Sequence, residues 1–160
     1  MGGGGITFFS VPDGKLLGAL TAFCPTPRHL VIDTQGQYLY ASNNREGVVS
    51  RVPMAGIMED LDRANGKTLK NIKGDTLRVG SGARTIALSP DGNNLYVAVN
   101  NAAQLVQVDL KEWRVVRSVS VSPYPVGLDV SPDGMYVAVT SQGKGDGHGG
   151  NSVEIFRTTP

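Results

Sequence analysis

Two arginines carry the strongest hint of chemistry in this sequence. Arg28, in Thr26-Pro27-Arg28-His29, and Arg84, in Gly82-Ala83-Arg84-Thr85, stand at matching places of two similar segments. A guanidinium presents a planar fork of donors that fits a carboxylate or phosphate, so two of them at one level can hold an anionic ligand. The competing reading is structural: each arginine pairs with a neighbouring carboxylate or carbonyl and braces the fold. His29 has the chemistry of a base or a ligand, but no second ligand stands at metal-site spacing, so a satisfied structural histidine is the alternative. A third segment of the same kind, Tyr124-Pro125-Val126-Gly127, brings Tyr124 to this level. Arg28, His29, Arg84, Thr85 and Tyr124 are therefore the candidate ligand-binding set.

A second candidate is the run Gly143-Lys144-Gly145-Asp146-Gly147-His148-Gly149-Gly150. Glycine-rich backbone can cradle phosphate with help from Lys144, and Asp146 with His148 could clip a metal. No helix start follows and the P-loop pattern is absent, which favours a solvated loop. Nucleophilic catalysis finds little to build on. There is no G-x-S-x-G elbow, Cys24 before Pro25 has no evident base, and the histidines are His29 and His148 alone. No catalytic residue, metal or cofactor is expected on these grounds.

The elements that must position these residues repeat. Arg84 to Gly92, ending Ser89-Pro90-Asp91-Gly92, recurs as Val126 to Gly134, ending Ser131-Pro132-Asp133-Gly134, an offset of 134 − 92 = 42 residues. A weaker copy, Pro27 to Gly36, lies 92 − 36 = 56 residues upstream of Gly92. The first offset falls in the range of four-stranded propeller blades. Leu95-Tyr96-Val97-Ala98-Val99 matches Met135-Tyr136-Val137-Ala138-Val139, which puts Tyr40, Tyr96 and Tyr136 at one position and marks them as packing residues. Each period reads as four strands. The second strand follows the Ser-Pro-Asp-Gly turn, Leu105 to Asp109 alternates as the third, and Trp113 to Val121 as the fourth, with Val115, Arg117, Val119 and Val121 on one face.

The expectation is an all-β chain of antiparallel propeller blades forming a partial ring of about three. Residues 6–23 supply two strands of a split blade, 28–79 a blade with insertion 54–75, 84–121 a second blade and 126–158 an incomplete last one. Apolar residues at helical spacing in 55–64, ahead of Asn65-Gly66, predict a short helix in the insertion. Open edges and uncovered faces at both ends call for a partner: the missing part of a longer chain or a second copy.

Composition narrows the partners. The net charge of +1 supplies no field that would draw the chain to nucleic acid or an anionic membrane. The single cysteine excludes an intrachain disulfide, and no apolar run reaches the roughly 20 residues of a spanning helix.

Ser-Pro-Asp-Gly-x-x-Leu-Tyr-Val-Ala, with a third strand of the Val-x-Val-Asp kind, resembles the YVTN β-propeller repeat of the WD40-like superfamily. The resemblance covers nearly the whole chain apart from 53–76 and 143–150. It implies bacterial propellers of unassigned role, some binding nucleic acid, archaeal surface-layer proteins or lactonase-like enzymes, and it favours a place outside the cytoplasm. The motif residues are turn and core positions, so the first reading is a non-enzymatic binding or scaffold module for an unidentified anionic small molecule or protein. The alternatives are a lactonase-like hydrolase, in which Arg28 and Arg84 hold an anionic lactone and His29 activates water, and a nucleic-acid-binding propeller.

Overall fold

A computed structural model describes residues 4–21, 24–70, 74–144 and 149–158. Its described strands form four sheets in chain order. The first holds β1 (Gly5–Phe9), β2 (Leu16–Thr21) and β6 (Thr68–Lys70). The second runs β3 (Pro27–Ile32), β4 (Tyr38–Asn43), β5 (Val48–Pro53) and β7 (Asp75–Arg78). The third runs β8 (Ala83–Leu88), β9 (Asn94–Val99), β10 (Gln104–Asp109) and β11 (Arg114–Ser120). The fourth has β12 (Pro125–Val130), β13 (Tyr136–Ser141) and β14 (Ser152–Arg157). Two meandering four-stranded sheets between two three-stranded ones make an all-β arrangement of partial propeller blades.

The turns fold as their residues dictate. Gly36, Gly92 and Gly134 end the first-to-second-strand turns at φ of 67°, 72° and 72°, which a side chain would oppose. The turn carboxylates hold these loops: Asp33 accepts the amides of Gln35, Gln37 and Tyr38, Asp91 that of Asn93, and Asp133 that of Met135.

The second and third sheets pack both faces, so the core lies between sheets. Ile6 and Leu20 of the first meet Leu39, Ala41 and Val52 of the second. Tyr40 and Val49 of the second meet Ile86, Leu95, Val97, Val106 and Val108 of the third. Tyr96 and Leu105 of the third meet Val137 and Val139 of the fourth.

The insertion forms α1 (Met54–Ala64), ended by Asn65 in the left-handed conformation at φ 45°. Ile57, Leu61 and Ala64 face the protein. A Cβ on Gly18 of β2 would come within 3.1 Å of both Ala64 and Leu61, so the helix lies close over that strand. Beyond it β6 pairs parallel with the outer edge of β2, Ala19 opposite Thr68 and Thr21 opposite Lys70. The insertion thus ties the second sheet to the first.

Two expectations of strand register need correction. The Ser89 amide bonds Asn94 and the Ser131 amide bonds Tyr136 across turns of equal length. Tyr136 is therefore equivalent to Asn94 and Tyr38, while Tyr40 and Tyr96 share their position with Ala138. The sequence match of Tyr96 with Tyr136 slips by two residues, which preserves the face because side chains alternate with period two. Tyr136 is 42% exposed where Tyr40 is 4%. In β11, a bulge pairs Gln107 with Arg117 but Val108 with Val115. It turns Val115 away from the face shared by Arg117 and Val119.

Candidate functional site

The first strands β3, β8 and β12 lie side by side, and each breaks its ladder near its start. Pairing skips Arg28 between Pro27 and His29, Arg84 and Thr85 between Ala83 and Ile86, and Val126 between Pro125 and Gly127. Such a bulge re-aims the residue it releases from the ladder. Arg28 and Arg84 consequently occupy equivalent bulges on neighbouring strands, Arg28 exposed and Arg84 half-buried.

The bracing role weighed for them does not appear. Among the described residues, neither guanidinium has a hydrogen-bond or ion-pair partner; the ion pairs are Arg51–Asp75 and Asp60–Arg63. Arg51 shows what a structural arginine looks like here. It bonds Asp75 at 3.0 Å and the Leu110 carbonyl at 3.1 Å, and lies 4.4 Å over the Trp113 ring.

A buried hydroxyl joins the starts of β3 and β8. Ser42 in β4 accepts the His29 amide at 3.1 Å and donates to the Arg84 carbonyl. The His29 ring reaches the third sheet, where its Nδ1 accepts the Ile86 amide at 3.4 Å. Thr85 donates to the Val126 carbonyl, joining the third sheet to the fourth. Ahead of β12, Tyr124 is partly exposed, in the left-handed conformation at φ 56°. Gly127, equivalent to His29 and Thr85, carries nothing because a Cβ there would meet the Thr140 hydroxyl at 2.3 Å.

The structure thus places Arg28 and His29 at the start of β3, beside the start of β8 that carries Arg84, commits the Thr85 hydroxyl to the fourth sheet and leaves Tyr124 one blade away. Lys144 is exposed, and Asp146 and His148 lie outside the described residues. Among the described residues no three His, Cys, Asp or Glu side chains gather as a metal site would require. Cys24 is buried, and burial pushes its thiol up to about 12, so no thiolate forms near neutrality. Asn43 and Asn100 bond beyond their own turns, Asn43 to the Thr26 amide and Ser50 hydroxyl and Asn100 to the Pro125 carbonyl. Ser42 was not singled out from sequence. Its signal was the departure of Tyr40-Ala41-Ser42-Asn43 from the repeat, a hydroxyl where the third sheet places Ala98.

No described helix is long and apolar enough to cross a membrane. Comparison with curated proteins returned no match. Among solved structures, the chain resembles a hydrazine synthase of Kuenenia stuttgartiensis at 24% identity and TM-score 0.73, over 96% of this chain and 40% of that one. It resembles two proteins provisionally assigned as 6-phosphogluconolactonases. That of Bacteroides fragilis is 21% identical at TM-score 0.67, over 95% of this chain and 39% of its own. That of Bacteroides uniformis is 14% identical at TM-score 0.71, over 98% and 47%. At these identities the likeness concerns fold, and the chain spans less than half the length of each of the three. The model of the family described as "Lactonase, 7-bladed beta-propeller" matches residues 25–157, which is most of the sequence, and the chain belongs to that family.

Proposed function

We propose that the bulged starts of β3 and β8 form part of a lactone-hydrolysing site that recognises an anionic lactone through Arg28 and Arg84. The observation that carries this reading is the pair of guanidinium groups at equivalent bulges, both without a partner among the described residues. Family membership supports a hydrolase over a plain scaffold, and the Ser-Pro-Asp-Gly turns fit a YVTN-like repeat within it. Titration of the chain with a carboxylate-bearing lactone and its neutral counterpart tests the reading. The anionic compound is expected to bind about tenfold tighter, with Arg28→Gln and Arg84→Gln each removing most of that preference. Equal affinity for both compounds would sink the proposal.

A further inference from the structure

We infer that His29 serves the bulged starts of β3 and β8 as a hydrogen-bond donor through Nε2–H, and not as the base that activates water. A backbone amide can only donate, so the Ile86 amide at 3.4 Å from Nδ1 requires a lone pair on that nitrogen. A neutral imidazole has one ring proton, which then sits on Nε2. Among the described residues nothing bonds Nε2, and the side chain is exposed.

The alternatives conflict with the fold. For Nε2 to take a proton from water it would first need to be bare, which moves the ring proton to Nδ1 and sets it against the Ile86 amide. Full protonation sets the same two donors against each other. The main chain on both sides is fixed independently by Ser42, which holds the His29 amide and the Arg84 carbonyl, so neither strand is free to withdraw. Arg28, Arg84 and His29 then present donors only, an arrangement suited to an oxygen that carries charge in the bound ligand. The inference rests on the anion-binding reading above for its ligand, but the tautomer is a property of the chain alone.

Two-bond proton–nitrogen correlation spectra of the ¹⁵N-labelled chain test it, with the His29 signals identified as the set missing from His29→Gln. In the neutral ring, a protonated Nε2 and a bare Nδ1 are expected; the reverse pattern overturns the inference. Binding of inorganic phosphate supplies a second readout. Glutamine can place its amide N–H near the position of Nε2, so His29→Gln is expected to stay within about twofold, whereas His29→Asn and His29→Ala lose about tenfold. Undiminished binding by His29→Asn overturns the donor role. Arg28→Gln and Arg84→Gln report on the anion site itself, so failure of that reading is distinguished from a reversed tautomer.

Discussion

Asp91 sits in the turn before β9 with its carboxyl held below the ordinary value of 3.8, first by the Ser89 hydroxyl and then by the Asn93 amide. A folded-state value below the unfolded one stabilises the ionised, folded form above the unfolded value, and that contribution is lost as pH falls through the folded value. Thermal melts of the unchanged chain and Asp91→Ala should therefore differ most at neutral pH and converge as pH drops below 3.8. A gap that widened in acid would contradict the assignment. Such turn residues are legible in sequence because their geometry is local. Ser42 was not, because its hydroxyl acts between residues of different sheets and only the fold brings Arg84 to it.

At the scale of elements, the four-strand period was legible because turn and alternation repeat, and α1 because its apolar spacing and Asn65-Gly66 stop are local. The two-residue slip between Tyr96 and Tyr136 was not visible, since period-two alternation is unchanged by it. Nor was β6. Three residues, Thr68 to Lys70, carry no signal of their own and become a strand by meeting the edge of β2. Leu61 joins α1 to the core shared by the first and second sheets and is 5% exposed. Leu61→Ala is expected to cost about 2–4 kcal/mol in denaturant unfolding, through lost burial and the cavity left behind. A cost below about 0.5 kcal/mol would mean that the helix contributes no packing.

Across the whole molecule, the fourth sheet leaves bare the face that its neighbours bury. Val153 and Ile155 are 66% and 68% exposed, whereas Val49 and Leu105, at the position of Val153, are 0% and 5% exposed beneath the next sheet. With Tyr136 and Pro132, Ile155 borders an open apolar hollow. Such a face favours cover by another sheet of the same kind. The 160-residue chain is expected to show a light-scattering mass above its own 16.9 kDa at micromolar concentration. Ile155→Lys should shift it towards that value, and a mass of 16.9 kDa for the unchanged chain would count against this expectation.

The pairing of β2 with β6 also sets an order of events during synthesis. Thr21 donates to the Leu69 carbonyl, a partner 48 residues downstream. At roughly 5–20 residues per second, β2 leaves the ribosome about 2–10 s before that partner exists. The edge of β2 that takes β6 therefore waits for the second sheet to be made and for its insertion to reach back. Slowing translation anywhere between Thr21 and Leu69 prolongs that wait.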